Sequence, residues 1–336
     1  RKGKSMRFGI RLLQHLGDSH ELLRLAELAD RAGFDQIWFP HDAFMRNTWA
    51  LTSAAALRTE RATLASIATN PYTTDPSEIA TYLATLDELT RGRAAIGIGM
   101  HTREMVEWTG IDTEDYLERT REAVELVRKL LRGETAEHDG SVYRWEDQCY
   151  LRFDPERRHV PIYVAAFGPE YLALSWEIGD GSLPMITPPE SAPHMVQQVQ
   201  RGLERVDRKN AEFDLAGCAW LSLARQRDAA EDTLRPIVAY FGPYFEREAL
   251  SEIGLSPEDF DPIRQLIEEG DYDAAAAAVT ESMLGLAIVG TPMEVIERIE
   301  WLGEQGLTQV NLGGPLGPDP AEAIRLMGEE VIPHFR

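Results

Sequence analysis

Short apolar runs alternate with segments of helical spacing along this chain. Leu64–Ala68 is short and mostly apolar, as expected of a parallel strand that is buried on both faces. Pro76–Thr90 has the spacing of a helix, with a proline near its start and Arg91-Gly92 closing its end. A second apolar run, Ala94–Ile98, follows directly. The stretch therefore predicts a strand–helix–strand unit with parallel strands.

The same alternation continues to the C-terminus. Strands are predicted at Met6–Leu12, Gln36–Phe39, Thr63–Ala68, Ala94–Ile98, Ile162–Ala166, Gly181–Ile186, Ala216–Leu223 and Thr308–Leu312. Helices are predicted at Ser19–Ala32, Thr48–Leu57, Ser77–Leu89, Thr113–Leu131, Pro169–Gly179, Ser191–Arg208, Ala229–Phe241 and Met293–Glu304. Such a series, without a change of composition, predicts one α/β domain over residues 6–336, a (β/α)8 barrel of the TIM type.

Three segments fall outside this repeat. Residues 1–5 precede Met6 and are interpreted as a tail or a cloning remnant. Gly133–Val160 is predicted to be a loop or hairpin before the fifth strand, and Pro243–Val289 an added helical segment before the eighth. We expect this insertion to lie outside the barrel. Long loops in barrels are more often lids or interface elements than connections without a function.

Composition and charge exclude several classes of partner. The 336 residues include 56 acidic and 34 basic side chains, a formal net charge of −22. Binding to the many phosphates of a nucleic acid or a membrane surface needs clustered lysine and arginine, so neither nucleic acid nor an anionic membrane is expected as a partner. No apolar run approaches the roughly 20 residues that span a bilayer. Two cysteines are too few for a disulfide scaffold, which favours a cytoplasmic location.

Polar residues that follow the predicted strands are the candidate catalytic residues. The loops after the strands of such a barrel share one rim, where the reaction is usually carried out. His41-Asp42 ends the second strand, and a histidine beside a carboxylate can accept or donate a proton. The alternative is that these two residues only cap a helix or lie in a solvated loop, without a role in catalysis. His101, after the fourth strand, is a second candidate. The remaining histidines lack the spacing of a metal site, so no metal is expected.

Glycines at two strand ends have two interpretations each. Gly168-Pro169 opens a predicted helix whose free N–H groups could hold a phosphate, although proline is common at a first helical turn without a ligand. Gly97 and Gly99 suit either a close approach of the backbone to a ligand or close packing alone. Because position 102 is Thr102, these glycines do not form a dinucleotide-binding fingerprint.

A series of motifs occurs in order along the chain. The motifs are Phe8-Gly9-Ile10, Thr69-Asn70-Pro71-Tyr72, Ala84–Leu89 followed by Gly92-Arg93, Gly97-Ile98-Gly99, Gly168-Pro169, Val289–Pro292 and Gly317-Pro318-Asp319. Together they resemble the bacterial-luciferase-like superfamily and, within it, the methylenetetrahydromethanopterin reductase branch that uses the deazaflavin coenzyme F420. The resemblance extends from Met6 to the C-terminus.

The resemblance implies a barrel that binds a flavin or deazaflavin at its C-terminal rim. The third strand would form the wall behind the ring, with a non-prolyl cis peptide around Ile67-Ala68; an ordinary trans strand end is the alternative. Such a ring needs a flat apolar slot and a reacting carbon held close to its acceptor. The residues implied in cofactor binding are Ser66, Ile67, Ala68, Thr69, Asn70, Gly97, Gly99, Ala166, Gly168 and Pro169.

Three sites depart from the pattern of these relatives. Similar deazaflavin enzymes usually carry Asp-His where this chain has His41-Asp42. Where the methanopterin reductase has a glutamate on its first strand and an aspartate after its fourth, this chain has Arg11 and Thr102. In the relatives those carboxylates would handle the pterin and its proton. A permanent cation at position 11 reverses the local field and suits an anionic substrate or cofactor group.

The sequence therefore predicts an oxidoreductase that transfers a hydride between coenzyme F420 and a small organic substrate, pterin-like or anionic. His41, Asp42, His101 and Arg11 are the residues expected at the reacting centre. One alternative is an FMN-dependent luciferase-like monooxygenase that uses molecular oxygen. A second is a non-catalytic barrel that binds a flavin or deazaflavin, which the loss of both carboxylates favours. A homo-oligomer, either a dimer or a tetramer, is also expected.

Overall fold

Parallel strands connected by helices make up most of the chain. The computed structural model describes residues 6–100, 103–165, 169–184, 188–208, 212–245 and 247–336. Its strands are β1 (Arg7–Arg11), β2 (Gln36–Pro40), β3 (Thr63–Thr69), β4 (Ala94–Ile98), β5 (His138–Asp139), β6 (Arg144–Trp145), β7 (Ile162–Val164), β8 (Gly181–Ser182), β9 (Asp214–Leu223), β10 (Ala287–Gly290) and β11 (Gln309–Leu316).

Eight of these strands close a parallel barrel. The order around the ring is β1, β2, β3, β4, β7, β8, β9 and β11, and β11 pairs again with β1. These are the eight strands predicted from the sequence, so the predicted fold is confirmed. Bounds differ most at two strands: β8 ends at Ser182, and β11 continues to Leu316 instead of ending at Leu312. Residues 185 and 186 of the predicted sixth strand lie outside the described residues.

Helices flank the ring. They are α1 (Ser19–Ala32), α2 (Thr48–Ala56), α3 (Pro76–Thr90), α4 (Arg103–Glu107), α5 (Tyr116–Leu131), α6 (Pro169–Ile178), α7 (Ala192–Arg205), α8 (Arg227–Phe241), α9 (Arg247–Ser251), α10 (Asp261–Glu268), α11 (Tyr272–Ala277), α12 (Glu281–Leu284), α13 (Pro292–Glu304) and α14 (Pro320–Leu326). Local chemistry sets their ends: α3 begins after Asp75, whose carboxylate accepts the Ser77 N–H at 2.8 Å. Among the described residues, no helix is long and apolar enough to cross a membrane.

Side chains of the barrel strands alternate between the helices and the interior. On β1, Phe8 and Ile10 pack into the main core with the surrounding helices. The interior has its own apolar cluster, which is composed largely of small residues. Its members are Trp38, Ala65, Ile67, Ala68, Ala95, Tyr163, Ala165, Leu183 and Ala216. Five of these nine residues are alanines, and Trp38 and Tyr163 supply most of the bulk of the cluster.

Hydrogen-bonded polar side chains fill the interior near the N-terminal ends of the strands. The Gln36 side chain donates to Tyr163 Oη at 3.0 Å, and Tyr163 Oη in turn donates to Asp214 at 2.7 Å. Gln309 donates to Gln36 Oε1 at 2.6 Å, and Arg7 forms an ion pair with Asp214 at 2.5 Å. This network closes the bottom of the barrel, so a ligand has to enter from the opposite rim.

The two long segments outside the repeat are partly regular. Gly133–Val160 contains the antiparallel hairpin of β5 and β6, one of the two forms predicted for it. The insertion 243–289 contains α9 to α12 and also most of β10, which pairs in parallel with β9 and is not one of the eight strands of the ring. Its packing on the barrel includes Phe245, whose ring centroid lies 5.6 Å from that of Trp220 on β9. The assignment of residues 6–336 to one domain with this insertion stays a prediction.

Sequence patterns did not indicate α4, α14 or β10. β10 has four residues, a length at which an apolar run cannot be distinguished from part of a buried helix. α14 has seven residues, and it begins where Asp319 accepts the N–H of Ala321 at 2.9 Å. Elements this short have too little periodicity to identify by pattern alone.

Glu122 attaches the β5–β6 hairpin to α5. Its carboxylate accepts the N–H groups of Ser141 and Tyr143 at 2.8 Å each, and that of Val142 at 3.2 Å. Burial on its own would raise the pKa of this carboxyl group. The hydrogen bonds outweigh burial and hold the pKa of Glu122 at about 2.

Replacing Glu122 with glutamine should destabilise the protein in a pH-dependent manner. Because the pKa in the fold is below the ordinary value of 4.5, the stabilisation is present above pH 4.5 and lost as the pH falls towards 2. At pH 7, Glu122→Gln should lower the free energy of unfolding by about 2–3 kcal/mol in urea titrations. The loss should shrink progressively below pH 4.5.

The matched control is Glu125→Gln on the same helix, where Glu125 pairs with Lys129 at 2.9 Å. This exposed pair should contribute less than about 1 kcal/mol. A Glu122→Gln effect that stays constant from pH 7 to pH 3 would contradict the assigned pKa.

Candidate active site

Backbone geometry at the end of β3 shapes the rim of the barrel. The peptide bond between Ile67 and Ala68 is cis, which confirms the predicted non-prolyl cis peptide. The register of β3 against β4 shifts between Ser66 and Thr69, so β3 bulges at this point. Ser66, Ile67, Ala68, Thr69 and Asn70 are all buried. At this bulge the apolar side chains of Ile67 and Ala68 belong to the interior cluster.

His41 lies directly beside this bulge. Its backbone N–H donates to the carbonyl of Ile67 at 2.6 Å. Its Nδ1 lies 3.2 Å from Thr69 Oγ1, and Thr69 Oγ1 lies 3.1 Å from Ser66 Oγ. Ser66 and Thr69, which were expected to contact a cofactor, thus form a hydrogen-bonded chain that ends at the imidazole.

Burial of the imidazole lowers the pKa of His41, and the nearby Asp42 carboxylate opposes this effect only in part. Aromatic side chains contribute to that burial: the Trp49 ring centroid lies 5.9 Å from that of His41. Trp49 itself stacks on Tyr82, with ring centroids 4.3 Å apart. The structure therefore provides a neutral imidazole near pH 7, held by a hydroxyl group at one ring nitrogen.

Asn70 stabilises the loop after β3. Its side-chain oxygen accepts the N–H of Tyr72 at 3.2 Å and the N–H and hydroxyl of Thr73 at 2.9 Å each. The Tyr143 hydroxyl donates to the carbonyl of Pro71 at 2.8 Å, which links this loop to the β5–β6 hairpin. The Thr-Asn-Pro-Tyr motif thus has a structural use beside its predicted ligand contact.

Gly97 and Gly99 lie where strands pack closely. A Cβ atom on Gly97 would lie 3.1 Å from the Ile67 side chain. Gly99 has φ +155°, and a Cβ there would lie 2.2 Å from the carbonyl oxygen of Ala165. Gly317 after β11 is similar, with φ +146° and 2.3 Å to the carbonyl of Leu223. Close packing accounts for the two predicted glycines, and their contact with a ligand stays a prediction.

Arg11 lies at the end of β1, on the inner face of the barrel. Its side chain is only 2% exposed, and Nε and Nη2 have no hydrogen-bond partner. Its neighbour on β11 is Gly313, where a Cβ would lie 2.4 Å from Arg11 Nη2. Asn311, two residues before Gly313, is fully buried with both amide atoms unpartnered.

Sequence reasoning did not identify Asn311 as a candidate. The polar or small residues Gln309, Asn311 and Gly313 alternate with apolar ones along β11, which is the pattern of an inward-facing polar stripe. That alternation was the available signal. The predicted strand included Gln309 and Asn311, but two polar positions are too few to identify a stripe, and the burial of Asn311 follows from its pairing with β1 and β9.

The structure brings His41, Ser66 and Thr69 together and places Arg11 on the adjacent strand β1. His101, Thr102, Ala166 and Gly168 lie outside the described residues. Pro169 begins α6, as predicted. Among the residues that the structure describes, no group of three potential metal ligands occurs.

A closed parallel barrel with a histidine and two hydroxyl groups joined by hydrogen bonds at its rim has the architecture of a (β/α)8 barrel enzyme. The family of luciferase-like monooxygenases matches residues 6–309, so the chain belongs to the luciferase-like family.

Similar proteins place the chain in one branch of this family. It is 34% identical to 5,10-methylenetetrahydromethanopterin reductase of Archaeoglobus fulgidus, over 98% of this chain and 100% of the relative. The reductase of Methanolobus tindarius is 30% identical over 93% and 95%. The solved coenzyme F420-dependent tetrahydromethanopterin reductase from Methanopyrus kandleri has 28% identity and a TM-score of 0.92, covering 99% of this chain and 100% of that chain. The resemblance drawn from the motifs is confirmed.

The His41 imidazole should titrate below its ordinary pKa of 6.5, because burial disfavours the charged ring. NMR titration of histidine-labelled protein would measure the midpoint, with His41→Asn to assign the signal. Asp42→Asn should lower the midpoint further, since the carboxylate favours the imidazolium. Protonation of His41 then favours the unfolded chain, so this residue destabilises the fold as the pH drops below 6.5. A midpoint above 6.5 would refute the assignment.

Proposed function

We propose that this protein is a coenzyme F420-dependent oxidoreductase that transfers a hydride between the deazaflavin and a small pterin-like substrate. The observation that carries the proposal is the similarity over 98% of the chain to a methylenetetrahydromethanopterin reductase. The FMN-bound oxygenating constituent of a diketocamphane monooxygenase is 19% identical with a TM-score of 0.72, which is a likeness of fold alone. Neither the monooxygenase nor the non-catalytic alternative is favoured.

Residues at the end of β3 fit a planar tricyclic ring. Ile67 and Ala68 belong to the interior cluster, where their neighbours include Ala65, Ala95 and Ala165. An apolar surface with such short side chains allows a flat ring to lie against it. Bound F420 would supply a ring carbon that donates or accepts a hydride and reacts poorly with oxygen.

His41 is proposed to move the substrate proton. With Nδ1 held by Thr69, the other ring nitrogen, Nε2, remains to accept or donate a proton at the reacting group. Asp42 would favour the imidazolium once it forms, because its charge raises the pKa of His41. Thr69 and Ser66 fix the orientation of the His41 imidazole, so we assign them as positioning residues.

The remaining site assignments are part of the same proposal. His101 and Arg11 would complete the reacting centre, and Ile67, Ala68, Asn70, Gly97 and Gly99 would border the ring. Ala166, Gly168 and Pro169 would receive a phosphate group of the cofactor at the start of α6. A cytoplasmic location and a homo-oligomeric state stay predictions.

Titration of the purified protein with F420 and with FMN tests the cofactor. F420 should bind at least about tenfold more tightly than FMN, measured by fluorescence of each cofactor. The protein loaded with reduced F420 should then be mixed anaerobically with a methylene-tetrahydropterin. Hydride transfer to the pterin should oxidise the bound F420. Preference for FMN with oxygen consumption would establish the monooxygenase instead. Binding of neither cofactor would refute the proposal.

His41→Ala should lower turnover by about 10²–10⁴-fold, because it removes the group that transfers the proton. The Kd for F420 should change by less than about threefold, since ring binding depends on apolar contacts. His20→Ala on the exposed face of α1 is the matched control and should leave both quantities unchanged. Full turnover in His41→Ala would exclude His41 as the proton-transfer group.

A further inference from the structure

Arg11 is a buried cation with no counter-charge in the described part of the chain. Its side chain is 2% exposed, and none of the described ion pairs includes it. The other arginine on β1, Arg7, shows the usual arrangement, because it pairs with Asp214 at 2.5 Å. A buried guanidinium without a partner costs free energy, since it has lost its hydration without gaining an ion pair. A protein retains such a group where a ligand supplies the missing charge.

Neighbouring strands add a second unpartnered polar group. Asn311 on β11 has 0% exposure, and neither its amide nitrogen nor its amide oxygen has a hydrogen-bond partner. In the strand register Asn311 lies opposite Gly9 on β1 and opposite Cys218 on β9. Gly9 and Arg11 are two residues apart and share the inner face, so Asn311 is a diagonal neighbour of Arg11.

Space for the guanidinium depends on a glycine. The atom Arg11 Nη2 would lie 2.4 Å from a Cβ on Gly313, so any larger residue there would displace the side chain. Cys218 does not act as a counter-ion, because burial raises the pKa of its thiol and keeps it neutral, although Arg11 lowers it in part. Asp214, the acidic residue at the closed end of the barrel, is already bound to Arg7 and Tyr163.

We propose that Arg11 and Asn311 form an oxyanion-binding subsite inside the barrel, which takes a carboxylate or phosphate group of the substrate. A guanidinium binds such a group through two parallel N–H donors, and the Asn311 amide supplies a third. β1 pairs with β2, and Arg11 lies opposite Trp38, three residues before His41, so the subsite is on the strand next to the one that leads to the proposed proton-transfer group. Assignment to the substrate rests on the proposed function, whereas binding of an oxyanion at Arg11 does not.

Thermal unfolding with inorganic phosphate tests the oxyanion site without any cofactor. Phosphate should raise the Tm of the unaltered protein by about 2 °C or more when it replaces chloride at constant ionic strength, because it binds only the folded state. Arg11→Met removes the uncompensated charge, so its Tm without phosphate should be higher than that of the unaltered protein. The phosphate response should be absent in Arg11→Met and in Arg11→Gln.

Arg7→Met is the matched control on the same strand. It breaks the pair with Asp214, so it should lower the Tm while the phosphate response persists. A lower Tm in both Arg11 variants would show that Arg11 has a structural partner and would overturn the proposal. An equal phosphate response in the unaltered protein and in Arg11→Met would do the same.

The source of the oxyanion is distinguished by F420 binding. If the substrate supplies it, Arg11→Met should leave the Kd for F420 within about threefold of the unaltered value. A loss of F420 affinity of tenfold or more would place an anionic group of the cofactor at Arg11 and overturn the assignment to substrate. Failure of the unaltered protein to bind F420 would refute the proposed function while the phosphate result stands on its own.

Discussion

Each of the eight barrel strands is hydrogen-bonded to a neighbour on both sides, and this closure determines which parts of the chain can carry a reaction. It fixes a small interior in which every second side chain of each strand must find a place. Trp38 and Tyr163 fill part of it, and polar side chains around Gln36 close its N-terminal end. Chemistry is therefore confined to the opposite rim, where β2 and β3 end at His41 and at the cis bulge.

Two different electrostatic environments share this interior. On the side of β2 and β3, burial favours a neutral imidazole, with hydroxyl groups to orient it. On the side of β1 and β11, a permanent cation is buried without a carboxylate beside it in the described part of the chain. The chain as a whole, by contrast, has more acidic than basic residues, with a formal net charge of −22. An anionic reactant would meet repulsion at long range, which salt screens, and attraction only once it is inside.

Much of the fold was predictable, because barrel strands and their helices carry strong periodic patterns. α1 was predicted with the bounds that the structure has, because its apolar positions recur with helical spacing along its whole length. β10 and α14 were not predicted, because four to seven residues hold too little periodicity. His41 could be selected from its position after a strand. Its hydrogen bond to Thr69 could not, because that contact depends on pairing between β2 and β3 and on a shift of register at the bulge. Asn311 was missed for a related reason: its burial follows from the neighbouring strands.

Gly99 and Gly317 show how this rim could be altered by protein engineers. Each glycine follows a barrel strand directly and touches the backbone of an adjacent strand end, at Ala165 and at Leu223. Any side chain at either position would collide with main-chain atoms, which cannot rotate away as a flexible side chain can. Libraries that diversify the loops after β4 and β11 to change substrate scope should therefore keep these two residues constant and vary only the positions beyond them.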